Sequence, residues 1–452
     1  MSFPRYPKYK PSGVEWLGEV PEHWGVKPIR KAARLESGHT PSRNHPEYWE
    51  NCTVPWFTLA DVWQIREARR DVVIETKELI SELGLANSAA RRLPAGTVML
   101  SRTASVGFSA IMGVEMATTQ DFANWVCGDE LLPKFLLHAF RSMQGEFRRL
   151  MMGSTHNTIY MPDIQAFRLA LPPLPEQRAI AAFLDRETAK IDALIAEQEK
   201  LIELLAEKRQ AVISHAVTKG LNPAAPMKPS GVEWLGDVPA HWKVLPIHRL
   251  VQQGRAITYG IVQPGQGDPK GRYMIRGQDY SAGWAEPDQF FRVSAEVEEP
   301  YRRARVRPRD IVMTIVGAGV GNVAVVPNWL DGANLTQTTA RVAIESSTAL
   351  PEFIHAALRS SVGRGSVGHY AKGAAQPGLN IEHVRVFPIP VPPLPEQASI
   401  VEALSRTTTD TTVLDQACFQ AVGLLRERRS ALISAAVTGQ IDVRNVVPET
   451  AA

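Results

Sequence analysis

The side chains best suited to chemistry in this sequence are arginines in clusters and amides in polar loops. Tyr301-Arg302-Arg303-Ala304-Arg305-Val306-Arg307-Pro308-Arg309 holds five arginines in nine residues. The first half of the chain offers Arg66, Arg69 and Arg70, then Arg91 and Arg92. Clustered guanidinium groups neutralise phosphates, although a solvated surface run has the same composition. Polar loops between expected strands carry side chains able to read base edges, arginine pairing with guanine and Asn or Gln with adenine. The candidates are Arg102, Thr103, Ser105, His156 and Asn157, then Arg276, Gln278, Asn322, Gln337 and Gln376.

Catalytic patterns are missing. There is no GxxxxGK[ST] phosphate loop, no HExxH, no His/Cys set with metal-ligand spacing and no Asn-Pro-Pro-aromatic tetrapeptide. Gly317-Ala318-Gly319-Val320-Gly321 lacks the GxGxxG spacing and reads as a tight turn between strands. Pro162-Asp163 and Pro287-Asp288 lack the nearby acidic-x-Lys pair of a nuclease. His23 and His241 stand beside Trp24 and Trp242 inside a repeated segment, which points to packing or a structural hydrogen bond. The chain is expected to catalyse nothing alone and to bind no metal or cofactor.

The elements that position these residues follow from length and repetition. A chain of 452 residues exceeds one domain of ~100–200 residues. Its 44% hydrophobic and 21% charged content is that of a globular protein. No apolar run reaches the ~20 residues of a membrane helix, and Met1–Pro7 lacks a signal-peptide core. Three distant cysteines, Cys52, Cys127 and Cys418, suit a reducing cytoplasm. Residues 1–174 carry 20 Lys+Arg against 18 Asp+Glu, and 220–394 carry 18 against 14, whereas 175–219 (7 against 8) and 395–452 (5 against 7) are slightly acidic. The positive charge sits mildly on two blocks.

Residues 10–31 and 228–249 are identical at 16 of 22 positions, both containing KPSGVEWLG. LPPLPEQRAI (171–180) recurs as VPPLPEQASI (391–400), and EKRQAVISHAVT (207–218) as ERRSALISAAVT (427–438). The chain is a tandem duplication with divergent middles. After each PPLPEQ a long helix is expected, with proline and glutamate in its first turn and Gly220 or Gly439 as its C-cap. A heptad register places Leu184, Ile191, Gln198, Leu205 and Val212 at one core position, and Ile180, Glu187, Leu194, Leu201 and Lys208 at the other. In the second helix the series are Leu404, Thr411, Cys418, Leu425, Leu432 and Ile400, Thr407, Leu414, Ala421, Arg428. Connectivity makes the pair antiparallel, a rod of at most about 65 Å. The blocks read as mixed α/β (α+β), with buried strands at 98–103 and 311–316, helices near 133–150 and 351–362, and strands at 164–171 and 384–391.

These features together resemble the specificity subunit of type I restriction-modification systems. The resemblance rests on KPSGVEWLGxVPxHW opening each half, on the PPLPEQ segments, and on the helix ends EKRQAVISHAVTKG and ERRSALISAAVTGQ. It implies two target recognition domains in tandem (1–171 and 221–391), spacer helices (172–220 and 392–441) in an antiparallel coiled coil, a C-terminal tail (442–452) and a pseudo-twofold internal repeat. It further implies a cytoplasmic, non-catalytic subunit that reads a split, asymmetric double-stranded DNA site. Two modification subunits and restriction/translocase subunits would be its partners, carrying S-adenosylmethionine and ATP/Mg. A protein-binding coiled-coil scaffold, or an adaptor without a restriction partner, is the alternative. The resemblance does not supply the base sequence or the contacting residues.

Overall fold

A computed structural model of the chain describes residues 3–66, 70–151, 157–371 and 378–446. The chain divides into two compact units, Met1–Gln198 with Gln420–Ala452, and Glu199–Phe419. Two long helices, Leu174–Lys219 and Leu394–Val437, each begin in one unit and end in the other.

In the first unit a five-stranded sheet has the order Ala33–Ser37, Phe122–Cys127, Val98–Ser101, Ser109–Met112, Val72–Val73. Only the last pairing is parallel. A second sheet sets Val54–Phe57 between parallel Ala117–Thr118 and antiparallel Glu78–Ile80. The second unit repeats the plan. One sheet runs Thr258–Tyr259, Thr339–Val342, Ile311–Thr314, Val323–Val325, and the other sets Arg272–Ile275 between antiparallel Phe291–Val293 and parallel Asn334–Leu335. The expected α+β blocks are present, with local corrections. Both buried strands stop two residues early, at Ser101 and Thr314. The expected helix over 133–150 is two, Pro133–Ser142 and Gln144–Leu150, and the one over 351–362 breaks at Ser360, which caps Ser361–Tyr370. The starts of the last strands are helical instead (Met161–Ala166 and Ile381–Arg385), because Pro162 and Asn380 favour helix initiation there. Gly317 and Gly321 adopt φ of 103° and 91°, and Gly321 N–H donates to Thr314 O, so the glycine cluster closes a hairpin.

The repeated motifs are the joints of this framework. Glu176, in the first turn of its long helix, accepts the Trp24 indole N–H at 2.8 Å and lies 2.7 Å from His23 Nε2. Glu396 does the same for Trp242 (3.1 Å) and His241 (2.8 Å). A carboxylate there is favoured by the helix dipole, so one charge anchors both helix start and tryptophan. Gln177 is fully buried: its Oε1 accepts Leu132 N–H at 2.8 Å, while Nε2 donates to Glu130 O and Pro172 O. It thereby caps the proline-led helix Pro133–Ser142, and Gln397 caps Pro351–Arg359 through Leu350 N–H.

Within each unit the long helices run antiparallel. In the first, Ile180, Phe183 and Leu184 share a core with Ile433, Ala436 and Val437, and Arg429 pairs with Asp192 at 2.8 Å. In the second, Ile213, Ala216 and Val217 share a core with Ile400 and Leu404, and Arg209 pairs with Asp415 at 2.5 Å. The series Leu184, Ile191, Gln198, Leu205, Val212 faces inward throughout, as does Leu404, Thr411, Cys418, Leu425, Leu432. Ile180 and Ile400, from the other series, are also buried. Most of the rest of that series is displaced by one residue, although Thr407 keeps its place, half-buried, with Thr408 exposed. Leu194, Leu201 and Leu414 are exposed (45%, 41% and 50%), and the seam instead takes Thr188, Ile195, Ile202, Arg209 and, opposite, Asp415, Val422, Arg429, Ala436. Counting apolar residues misassigns this register because the true positions include polar side chains whose bonds are made internally. Thr188 Oγ1 donates to Leu184 O, and the arginines pair across the seam. Gly220 and Gly439 end the helices at φ of 76° and 73°, where a left-handed residue closes the last turn.

Candidate nucleic-acid interface

In both units the loops leaving the paired parallel strands gather at one sheet end. In the second, Ile275 leads into Arg276–Tyr280 and Leu335 into Thr336–Thr338, and Gly260 N–H donates to Thr336 O. The result is a cleft of about 520 Å³ lined by Arg276, Gln278, Ser281, Asn322, Thr336, Gln337 and Thr338 among others. Four of the five polar-loop candidates from this half therefore share one cleft, and the fifth, Gln376, lies outside the described residues. Gln278, Asn322 and Gln337 are exposed, with no side-chain partner among the described residues. Each amide presents a donor and an acceptor, as reading an adenine edge requires. Arg276 is not available in the same way. Its guanidinium is held by buried Asp279 (Nη2–Oδ1 2.8 Å) and Gln289 O, so it shapes the cleft wall.

The first unit places different residues at the equivalent end. Thr58–Gln64 follows Val54–Phe57, Thr119 N–H donates to Phe57 O, and His39 N–H to Thr118 O. Arg102 is committed to the backbone, donating from Nε to Gln120 O (3.0 Å) and from Nη1 to Ile159 O (3.2 Å). It braces the loop, since spending a guanidinium on carbonyls removes it from base readout. Thr103 and Ser105 are half-buried beside exposed Asn157, whose carbonyl accepts Ala104 N–H. Thr40 donates to Gln120 Oε1 at 2.8 Å. Thr40 and Gln120, which meet beside Arg102, and the 56%-exposed Trp63 of the Thr58–Gln64 loop were not singled out by the sequence, because nothing local marks them. Arg66 is exposed without a partner among the described residues, and Arg70 bonds Gln64 and Glu75. Arg69 and His156 lie outside the described residues. Arg92 pairs with Glu82 and Glu115.

Three of the five arginines in the run 301–309 are ion-paired within the protein. Arg305 is bidentate to buried Glu298 (2.7 and 2.5 Å), Arg302 pairs with Glu299 and Arg309 with Glu352. A buried carboxylate such as Glu298 requires that partner, so Arg305 is structural. Only Arg303 and Arg307 of the five remain exposed and unpaired among the described residues. Burial and the charge of Arg359 push His355 down to about 4, leaving it neutral at pH 7. Among the described residues no group of His, Cys, Asp or Glu could hold a metal ion, and no helix is long and apolar enough to cross a membrane.

A family model described as type I restriction modification DNA specificity domain matches residues 21–204 and 293–417, more than half of the chain. The chain belongs to this specificity family. Relatives include the type I restriction enzyme EcoBI specificity subunit of Escherichia coli, 26% identical over 317 residues, or 69% of this chain and 66% of that one. The EcoKI specificity subunit of Escherichia coli K12 is 21% identical over 94% of this chain and 90% of its own. A chain from a structure on assembly and conformational transition of the type I R-M system matches with a TM-score of 0.70 at 16% identity, covering 92% of this chain and 98% of that one. The HsdS subunit from Thermoanaerobacter tengcongensis matches with a TM-score of 0.51 at 16% identity, covering 93% and 98%. These two likenesses show the specificity-subunit fold.

Proposed function

We propose that this specificity-family chain reads a bipartite, asymmetric double-stranded DNA site, one part with each unit, as a non-catalytic subunit of a type I restriction-modification complex. The observation that carries the reading is the cleft at the strand ends of the second unit, where Gln278, Asn322 and Gln337 converge with free amides. The first unit offers Thr40, Ser105, Asn157 and Gln120 at the equivalent end, a different donor and acceptor set, so the two half-sites differ. Arg66, Arg303 and Arg307 supply unpaired positive charge for the backbone.

The long helices would dock two modification subunits, to which restriction/translocase subunits join. Supporting this, the first helix exposes Leu194, Leu201 and Leu204, and the second exposes Val413, Leu414, Phe419 and Leu424. Exposed leucines of this density mark protein contact. S-adenosylmethionine and ATP/Mg would reside on those partners. The test is a methylome map after co-expression with the neighbouring modification subunit in a methylation-free host. One split motif with a fixed gap and unlike halves is expected, and exchanging residues 1–171 should change one half only. A well-formed complex that binds DNA yet leaves no methylation points to an adaptor. A chain that binds neither DNA nor the modification subunit refutes the proposal.

A further inference from the structure

The duplication pairs Arg141 with Arg359, at the ends of the glutamine-capped helices Pro133–Ser142 and Pro351–Arg359. In the first unit Arg141 is tied to Asp71 at 2.6 Å, and Lys134 joins the same carboxylate at 2.7 Å. The second unit has kept the arginine without the acid. Glu352 stands where the first repeat has Lys134, and it is engaged by Arg309. Arg359 is exposed and its guanidinium has no partner among the described residues. Arg364, equally exposed and unpartnered, lies in the first turn of Ser361–Tyr370, which contains no acidic residue. A cation there opposes the helix dipole, so the local positive potential is uncompensated. Both arginines line a cleft of about 940 Å³ that shares Ser281 and Asn322 with the amide-lined cleft. His355, also on its wall, is neutral at pH 7 and adds no charge.

We propose that Arg359 and Arg364 form a phosphate-binding subsite next to the amide-lined cleft of the second unit. The chemistry is that of a phosphate dianion or diester held by two guanidinium groups, the amides of Ser361 and Val362 being already taken by Ser214 Oγ and Ser360 Oγ. Its source is either the DNA backbone flanking the bases read by Gln278, Asn322 and Gln337, or a free phosphate compound. The backbone source rests on the DNA-reading function proposed above; the subsite itself does not.

The experiment compares the full chain with R359A/R364A and the charge-retaining R359K/R364K, each checked for an unchanged circular-dichroism melt. Duplex binding is measured across a salt series on target-containing and unrelated DNA, and inorganic pyrophosphate binding by titration calorimetry. For a backbone contact, R359A/R364A weakens both duplexes alike, about tenfold at 0.1 M salt, lowers the log–log salt slope by about one per arginine, and R359K/R364K restores most of it. For a free phosphate compound, duplex binding is unchanged while wild type binds pyrophosphate and R359A/R364A does not. No difference in either measurement overturns the subsite. If wild type binds no duplex, the DNA-reading function fails and the pyrophosphate arm alone decides the subsite.

Discussion

Replacing Gln177 by leucine tests whether the buried glutamine is what joins each block to its long helix. The change keeps side-chain volume and removes three hydrogen bonds, to Leu132 N–H (2.8 Å), Glu130 O (2.8 Å) and Pro172 O (2.9 Å). At about 1 kcal/mol net for each bond, with Pro172 O left dry at the upper end, the loss is about 4 kcal/mol, offset by about 1 for the buried leucine. Gln397→Leu should cost about 1 kcal/mol less, because one of its bonds, to Thr348 O, is already long at 3.4 Å. A single unfolding free energy is poorly defined for a chain of two units, so the assay is native-state hydrogen exchange read on peptides spanning 128–142 and 346–359. A 3 kcal/mol loss lowers protection of the first peptide about 150-fold, with the second unaffected. A decrease below about fivefold, or an equal decrease in the second peptide, would refute the idea that Gln177 carries this joint.

Four further outcomes follow from the same geometry. Burial works to raise the Asp71 carboxyl but is outweighed by Arg141 and Lys134, which bring it down to about 2. Its stabilisation is thus present above pH ~4 and lost as pH falls toward 2, worth about 2 kcal/mol, and D71N should flatten that limb of an acid-denaturation profile. His355 has its folded value lowered to about 4 from 6.5, so stability of the second unit should be full above pH 6.5 and decline toward pH 4. In a pH-resolved melt of H355N that decline should shrink. On the helices, Ile202→Asn should lower the local stability by about 1–2 kcal/mol and Leu201→Asn by under about 0.5, read by native-state hydrogen exchange on a peptide spanning 195–209, with Leu201→Asn instead weakening capture of the modification subunit. Gln337→Ala should relax one position of one half-site by about 1–3 kcal/mol in competition binding while leaving the other half-site unchanged.

The parts of this molecule legible in its sequence are those fixed by repetition and by local chemistry. KPSGVEWLG, PPLPEQ and the paired glycines gave the two long helices and their ends directly, because helix starts and stops depend on nearby residues. The histidines beside Trp24 and Trp242 were readable as structural, but their partner was hidden in plain view: the glutamate of each PPLPEQ sits about 150 residues away. Register was half legible. One seam series stands, and the other, beyond Ile180, Ile400 and Thr407, slipped by one residue because Thr188, Arg209, Asp415 and Arg429 look like surface residues until their partners are seen. The arginine run misled for a related reason. Spacing shows charge density but not the buried Glu298 that consumes Arg305. The cleft residues Gln278, Asn322 and Gln337 could be selected by type, whereas Thr40, Gln120, Arg359 and Arg364 emerge only when distant loops meet.

The framework joint has one more property. In the second unit, Gly220 ends a long helix and residues 221–226 connect it covalently to the strand Met227–Pro229. In the first unit the same path is bridged without a bond. Tyr9 donates its hydroxyl to Gly439 O at 3.0 Å, Asp442 N–H donates to Pro4 O at 2.8 Å, and Arg444 covers the Tyr6 ring at 4.8 Å. Backbone and side-chain contacts in the first unit therefore stand where the second unit has a peptide link. The two junctions thus hold the same helix end against the same repeated strand, once through the chain and once through non-covalent contacts alone.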